Sequence, residues 1–175
     1  MFWDEFGFSF QEPLAPTWAR IGKRPVFRRV TKERRAISTA VALTLSGKIY
    51  KRQFEGSVNS ENLIVALRHV QLKIPGKLIL IWDRASIHKS KATKVYLRNH
   101  PEILIEELPA YAPQLNPEEY CHGNIKQRLK NACPKTKGEI RIMLNRGFAR
   151  LRRRPDLLLG FFHTAGLSVR QLRLT

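Results

Sequence analysis

The first ten residues alternate between two kinds of side chain. A period of two residues predicts a β-strand. One face of this strand is aromatic except at a single acidic position, and its members are Phe2, Asp4, Phe6, Phe8 and Phe10. Because a carboxylate without a partner is costly to bury, we expect Asp4 to need a cation beside it.

The hydrophobic pattern becomes irregular after residue 10. Residues 11–35 are basic and contain three prolines, which predicts a connection without regular structure. Two segments rich in β-branched residues then flank a Ser46-Gly47 turn and predict a β-hairpin. A helical pattern follows, with Asn59 and Ser60 as capping candidates. The predicted elements are strands over Ala36–Leu45 and Lys48–Phe54 and a helix from residue 60 to about Lys73.

The second half of the chain opens with a nearly continuous apolar run, Lys77–Trp82, which ends at Asp83. Such runs are typical of a central strand covered on both faces. The segments after it predict a helix over Lys89–Asn99, a strand over Glu102–Leu108, helices from Pro117 to about Ala132 and over Lys137–Arg153, a stop at Pro155 and a short apolar segment over Leu157–Phe162. This order predicts an α/β fold with a mixed sheet of about five strands flanked by helices, although several topologies share it.

Composition favours a folded domain with an anionic partner. The chain has 175 residues, 43% of them hydrophobic, which is enough to bury a core. Its 32 Lys and Arg against 14 Asp and Glu give a formal charge of +18, for which nucleic acid is the commonest partner. An ordinary soluble surface and an anionic membrane are the alternatives, but no apolar run reaches the roughly 18 residues that span a bilayer. Cys121 and Cys133 lack metal-ligand spacing and fit a reducing, intracellular protein.

Three acidic residues stand where chemistry is expected. Asp4 lies on the first strand, Asp83 ends the apolar strand and Glu119 lies in the first turn of a helix. Three converging carboxylates would form an oxygen-only site that suits Mg²⁺ or Mn²⁺, and paired ions can cleave a phosphodiester. Each acid also has a structural alternative: Asp4 as an edge residue, Asp83 as a helix cap, and Glu119 in a capping box with Asn116 and Pro117. Spacing alone leaves these alternatives open.

Four segments resemble one family of enzymes. WDEFGF, TWARIGKRP, IWDRASIHKS and LPAYAPQLNPEEYCHGNIK are similar, in this order, to motifs of the DDE transposases related to mariner, particularly the bacterial insertion-sequence branch. The resemblance covers residues 1 to about 130 and implies an RNase H-like fold. We therefore expect residues 1–135 to form an RNase H-like catalytic domain and residues 136–175 to form a helical extension packed on it.

The resemblance implies a role for particular residues. Asp4, Asp83 and Glu119 match the catalytic, metal-binding acids, with Mg²⁺ or Mn²⁺ as the cofactor. Glu118 stands where the family usually has an apolar residue, so it is the neighbour of the catalytic acid. His122 replaces a usual tryptophan, and Arg84 and Ala112 are further departures.

Several cations are expected to hold DNA. Lys126 and Lys130 share a helical face with Glu119, although an ordinary solvated cationic face is the alternative. The connection after the first strand interleaves cations with Trp18 and Phe27, a combination that suits distorted or single-stranded DNA. The complete set of expected DNA-binding residues is Arg20, Lys23, Arg24, Arg84, His88, Lys89, Lys126 and Lys130. For His88, a structural hydrogen bond is the alternative.

The family resemblance predicts a transposase catalytic subunit or fragment. It would cleave DNA at element ends and join the 3′-hydroxyl to target DNA, and the alternative is a degenerate remnant that binds DNA without catalysis. Relatives carry a helix-turn-helix recognition domain before the first catalytic aspartate, and none is recognised here. DNA is the expected partner, and a separately encoded helix-turn-helix protein and a second copy of the chain are further candidates. For a bacterial source we expect a cytoplasmic, nucleoid-associated location and no membrane partner.

Overall fold

A computed structural model describes residues 1–11, 14–26 and 36–169 of the chain. Within them the backbone forms five β-strands, five α-helices and one short 3-10 helix. In chain order these are β1 (Phe2–Phe8), β2 (Ile37–Leu43), β3 (Ile49–Glu55), α1 (Ser60–Lys73), β4 (Leu78–Trp82), α2 (Lys91–Arg98), β5 (Ile103–Glu107), the 3-10 helix (Pro113–Leu115), α3 (Pro117–Leu129), α4 (Lys137–Arg152) and α5 (Pro155–Thr164).

The strands form one mixed sheet in the order β3-β2-β1-β4-β5. Strand β2 is antiparallel to both β1 and β3, whereas β4 is parallel to both β1 and β5. Phe2 of β1 lies opposite Ile81 of β4. Two residues further along each chain, Asp4 and Asp83 reach the same level of the sheet. The predicted mixed sheet of about five strands with flanking helices is confirmed.

Each face of the sheet is covered by its own hydrophobic core. On one face, Phe2, Phe6 and Phe8 of β1 pack with side chains of α3, α4 and α5. On the other face, Trp3 of β1 and Trp82 of β4 pack with side chains of α1 and α2. Each large apolar side chain buried in this way stabilises the fold by about 1.5–3 kcal/mol. Because Asp4 shares its face of β1 with the three phenylalanines, it points toward α3.

Helix α3 ends at Leu129, about three residues earlier than the sequence predicts. Asn131 adopts a left-handed conformation, with φ of 65°. Its side-chain amide exchanges two hydrogen bonds with the backbone of Ala15, of 2.9 and 3.0 Å. This pairing across the sequence takes the chain out of the helix, so Lys130 is the C-cap residue and not a member of the helical face.

Two other helices differ from the sequence prediction. Helix α2 begins at Lys91 because the side chain of Ser90 accepts a hydrogen bond from the Thr93 amide and caps it. The apolar segment Leu157–Phe162 lies inside helix α5, which begins at Pro155. Proline is tolerated in a first helical turn because its missing N–H has no intrahelical partner there. No helix within the described residues, α5 included, is long and apolar enough to cross a membrane.

The connection after β1 is described over residues 14–26, which contain no helix or strand. Trp18 is fully exposed, so it does not pack on either core. The cations Arg20, Lys23 and Arg24 are also exposed. Phe27, which was expected to join them, lies outside the described residues.

Helices α3 and α4 approach each other closely at Gly147. A Cβ atom on Gly147 would lie 3.1 and 3.3 Å from side-chain carbons of Ile125, which is itself buried. We therefore expect Gly147→Leu to lower the free energy of unfolding by about 1–3 kcal/mol, measured by urea denaturation. Gly160→Leu in α5 is the matched control, because an added Cβ there meets no atom within 4 Å among the described residues outside its own stretch of helix backbone. The control should leave stability unchanged or slightly higher, and equal losses in the two variants would contradict the close packing.

Candidate active site

Asp4 is a buried carboxylate held in place by two hydrogen bonds. Its Oδ1 atom accepts from the Glu5 amide at 2.7 Å, and its Oδ2 atom accepts from the side-chain amide of Asn116 at 3.0 Å. The side chain is only 11% exposed. Burial raises the pKa of Asp4 to about 7; the nearby His122 opposes this rise, and Glu119 and other carboxylates add to it. The site therefore disfavours this negative charge at neutral pH unless a further cation is present.

Asp83 is held differently, because it follows β4 and is 57% exposed. Its Oδ1 atom lies 3.0 Å from Nδ1 of His88 and accepts from the Ala85 amide at 2.9 Å. The contact with His88 lowers the pKa of Asp83, against a smaller opposing effect of burial. Asp83 is thus an ionised, pre-positioned carboxylate.

His88 is buried and stacks on Trp82, with ring centroids 4.2 Å apart. Its Nε2 atom lies 3.2 Å from both carboxylate oxygens of Glu5, and its Nδ1 atom lies 2.9 Å from the Asp83 carbonyl oxygen. Burial disfavours the charged ring, but the hydrogen bonds to Asp83 and Glu5 outweigh it and raise the pKa of His88 to about 10. Both ring nitrogens therefore contact protein groups. This arrangement agrees with a structural hydrogen-bonding role for His88, which was the alternative to DNA binding.

Glu119 is exposed in the first turn of α3. The capping-box alternative requires the Glu119 carboxylate to accept a hydrogen bond from the backbone N–H of Asn116. That backbone N–H instead donates to the Pro113 carbonyl at 2.9 Å, while the side-chain oxygen of Asn116 accepts from the backbone N–H of Glu118 at 3.1 Å. The helix is therefore capped without the Glu119 side chain, and the carboxylate is free for another role.

All three acids line one open cavity of about 560 Å³. Asp4 and Glu119 each offer a carboxylate oxygen to a cluster whose ligand atoms lie within 4.8 Å of one another. The third member of this cluster is His122, and Asp83 borders the same cavity. The structure therefore places the three acids predicted from the sequence around one cavity, with Asp83 outside the close cluster. It adds to that cluster an imidazole that sequence reasoning did not include.

The expected DNA-binding cations fall into three groups. Arg84 and Lys89 line the cavity, and Arg84 also forms a salt bridge of 3.1 Å with Glu107. Lys126 of α3 is half-buried, with its Nζ atom 5.7 Å from the centre of the Phe6 ring. The remaining cations lie elsewhere: Lys130 caps α3, and Arg20, Lys23 and Arg24 are exposed in the connection after β1.

Two further features of the site were not expected. Tyr111 is fully exposed at the cavity with a left-handed backbone, φ 57°, in the loop before α3. Glu118 is completely buried, and its Oε1 atom lies 3.0 Å from Nε2 of His122. The four-residue spacing between Glu118 and His122 places both side chains on one helical face, which was the available sign of this pair.

The pKa of Asp4 leads to a stability prediction for the metal-free protein. A folded-state pKa of about 7 against an ordinary value of 3.8 means that stability falls as pH rises from about 4 to 7 and stays low above it. Asp4→Asn removes the charge at the cost of one hydrogen bond. We expect it to raise the free energy of unfolding by about 1–3 kcal/mol at pH 8 in chelator, and by less at pH 5.

Asp83→Asn is the matched control for Asp4→Asn, because the pKa of Asp83 is shifted in the opposite direction. This control should give no stabilisation at pH 8 in urea denaturation. A stability of Asp4→Asn at or below that of the unchanged protein at pH 8 would show that burial does not disfavour the Asp4 charge.

Comparison with known proteins finds similar folds among solved structures. Curated protein sequences give no match. Among solved structures, the Mos1 mariner paired end complex with Mn matches with a TM-score of 0.68 and 19% identity, over 94% of this chain and 53% of that chain. The pre-cleavage Mos1 transpososome gives 0.66 and 19%, over 94% and 55%. The catalytic domain of Mos1 mariner transposase gives 0.60 and 19%, over 95% and 81%.

These similarities confirm the RNase H-like fold that the motifs imply. The chain spans about half the length of the Mos1 chains in the transpososome and paired end complexes that it matches. A family model described as DDE superfamily endonuclease matches residues 1–141. Because this model covers most of the sequence, the chain belongs to the DDE superfamily of endonucleases.

Proposed function

We propose that this chain is the catalytic subunit or fragment of a transposase, which cleaves DNA at element ends and joins the 3′-hydroxyl to target DNA. The observation that carries the proposal is the convergence of Asp4, Asp83 and Glu119 from three separate elements on one cavity. The cavity lies at the carboxyl ends of the parallel strands β4 and β5, which is where ligands bind in open α/β sheets. The motifs further favour the insertion-sequence branch of the family.

The donor atoms of the cavity fit a divalent cation. Carboxylate oxygens are preferred ligands of Mg²⁺ and Mn²⁺, and the raised pKa of Asp4 reflects a buried charge that a cation would stabilise. Mos1 mariner paired end complexes have been solved with Mn and with Mg. We assign the binding of Mg²⁺ or Mn²⁺ to Asp4, Asp83 and Glu119. When bound, such ions lower the pKa of an attacking oxygen and stabilise the charge on the leaving oxygen.

Protein groups hold two of these carboxylates, Asp4 and Asp83, in place without an ion. Asn116 and the Glu5 amide fix both oxygens of Asp4, and His88 fixes one oxygen of Asp83. Ligands that are already oriented lose little conformational freedom on binding. We therefore assign His88 a positioning role, and its burial supports this role better than a direct phosphate contact.

The cations around the cavity are suited to the phosphate backbone. Arg84 and Lys89 are exposed and line the cavity beside Asp83, so we assign them contacts with phosphates next to the scissile bond. Lys126, Lys130 and the exposed cations Arg20, Lys23 and Arg24 are proposed to bind more distant phosphates. Such contacts position DNA without reading its sequence.

The proposed partners follow from the transposase assignment. Mos1 structures include a paired-end complex with a left transposon end. By analogy we propose that this chain acts on paired element ends as a dimer, with end recognition supplied by a helix-turn-helix module, and in a bacterium at the nucleoid. We assign residues 1–135 to catalysis and residues 136–175 to a helical extension, whose α4 and α5 complete one of the two cores.

The assignment of Glu119 is tested by a conservative substitution. Glu119→Gln removes one negative charge from the cavity but leaves the cap of α3 intact, because Asn116 and Pro113 supply it. We expect Mg²⁺- or Mn²⁺-dependent nicking of supercoiled DNA that carries the element ends to fall by at least about a hundredfold. The free energy of unfolding should change by less than about 1 kcal/mol.

Glu61→Gln is the matched control, because Glu61 is an exposed acid in the first turn of α1 and does not line the cavity. It should nick DNA like the unchanged protein. Equal nicking by Glu119→Gln and Glu61→Gln would place the third ligand elsewhere. Metal-independent DNA binding with no nicking by the unchanged chain and its recognition partner would favour the degenerate remnant.

Binding to duplex DNA should depend steeply on salt and little on sequence. Each phosphate that the protein neutralises contributes a slope of about −0.9 to the logarithm of affinity against the logarithm of salt concentration. We expect Lys89→Ala to reduce the magnitude of the slope by about one phosphate contact in fluorescence anisotropy titrations. Lys73→Ala, at the opposite end of the sheet where α1 leads into β4, should keep the slope. The same slope for both variants would remove Lys89 from the interface.

A further inference from the structure

Two buried groups beside the three acids, the Glu118 carboxylate and the His122 imidazole, have no part in the function proposed above. Glu118 is completely buried, and neither of its carboxylate oxygens forms an aligned hydrogen bond with a described residue. Its Oε1 atom lies 3.0 Å from Nε2 of His122, which makes a close electrostatic contact. A buried carboxylate is strongly unfavourable without a cationic partner, so the pair has a structural cost that an apolar residue would avoid.

The other ring nitrogen of His122 faces the carboxylate cluster. Its Nδ1 atom is 3.8 Å from Oδ2 of Asp4, which is too far for a hydrogen bond. Two ligands of one octahedral ion with bonds of about 2.1 Å lie about 3.0 Å apart in adjacent positions and about 4.2 Å apart in opposite positions. The separation of 3.8 Å lies between these two values, so a relative shift of about 0.8 Å would bring the two atoms into adjacent positions on one ion. Glu119 completes the cluster, in which the three ligand atoms lie within 4.8 Å of one another.

The surroundings of His122 hold its ring at a fixed angle. The side chain is 4% exposed, and its ring packs on Phe6 with centroids 4.1 Å apart and planes inclined by 35°. A histidine that binds a metal through one nitrogen usually donates its other N–H to a carboxylate or carbonyl. Glu118 is the carboxylate nearest that nitrogen, with Oε1 3.0 Å from Nε2, and the two groups are in contact but not aligned for a hydrogen bond in this structure.

We propose that His122 binds the divalent ion through Nδ1, as a nitrogen ligand beside Asp4 and Glu119, and that Glu118 orients the ring from the other side by accepting Nε2–H when the ion is bound. This inference rests on the proposed metal-dependent function, since it concerns the same ion. A nitrogen ligand shifts the preference of a carboxylate site from Mg²⁺ toward transition metals such as Mn²⁺. We therefore expect the site to bind Mn²⁺ more tightly than Mg²⁺, to an extent that depends on His122.

Pulsed electron paramagnetic resonance of the full chain with Mn²⁺ tests the ligand directly. We expect the coupling of a directly bound ¹⁴N nucleus, which changes to the ¹⁵N pattern when the histidine rings are labelled with ¹⁵N. His122→Gln should abolish the coupling, whereas His88→Gln should retain it for the ions that remain bound. The labelled wild-type chain gives this result without any variant, so a folding defect in a variant does not remove the test.

Calorimetric titration separates the role of Glu118 from a purely structural one. We expect Glu118→Leu to weaken Mn²⁺ binding by about 10–100-fold, and Glu118→Gln, which keeps an acceptor oxygen, to restore most of it. His122→Gln should weaken Mn²⁺ binding more than Mg²⁺ binding. Circular dichroism establishes that each variant is folded before titration.

The outcomes separate this proposal from the proposed function. Tight Mn²⁺ binding without nitrogen coupling, or with coupling that survives His122→Gln, overturns the ligand assignment and leaves the metal-dependent function intact. His122 is then only an electrostatic partner of Asp4. Failure of the wild-type chain to bind either ion overturns the proposed function together with this inference.

Discussion

The burial of the Asp4 carboxylate in the aromatic face of the central strand is the constraint on which the catalytic end of this molecule depends. Strand β1 has a neighbour on each side and a hydrophobic core on each face, so Asp4 has little access to water. Two hydrogen bonds stabilise the charged form, yet the pKa of Asp4 still rises to about 7. The two cores supply the stability that allows such a position to persist, and a bound cation would remove the unfavourable energy.

The acids from the two parallel strands receive similar support from opposite faces of the sheet. Consecutive residues of a strand point to opposite faces, so Asp4 and Glu5 diverge. Glu5 contacts His88, which contacts Asp83. On the other face, Glu118 contacts His122, which lies beside Asp4. Each strand acid therefore stands next to an imidazole that itself contacts a glutamate. The pKa of both histidines is raised in the metal-free protein, and His122 would give up its proton when its Nδ1 atom binds an ion.

Local patterns in the sequence were sufficient for the elements and marked three acids as candidates, but the family resemblance was needed to join these acids into one site. The alternation around Asp4 and the apolar run before Asp83 arise because buried positions need apolar side chains. Such a pattern can be read within one strand without knowing its neighbours. The strand order did not follow from pattern, because several topologies share one order of elements and the family resemblance was needed to choose. The end of α3 depends on Asn131 meeting Ala15, a contact between distant parts of the chain. The hydrophobic periodicity of α3 cannot predict a contact with a residue outside the helix.

Glu118 and His122 show a different limit of sequence reasoning. The family pattern identified Glu118 only as the neighbour of the catalytic acid and His122 only as a departure from the usual tryptophan. The structure places them 3.0 Å apart, so one substitution accommodates the other. Their spacing of four residues on a predicted helix already indicated contact. The complete burial of Glu118 could not be predicted, because it depends on how α3 is rotated about its axis against β1.

That rotation is fixed by Asn116. Its side-chain oxygen accepts from the Glu118 amide and so begins α3, while its side-chain nitrogen donates to Asp4 on β1. A single amide therefore ties the start of the helix to the central strand and sets which glutamate faces which way. Neighbouring residues of a helix point about 100° apart, so Glu118 enters the core when Glu119 faces the cavity. A helix that began one residue later would bury Glu119 in the place of Glu118 and turn Tyr120 toward the cavity in the place of Glu119. The hydrogen bond between Asn116 and Asp4 therefore helps to decide which side chain reaches the metal site.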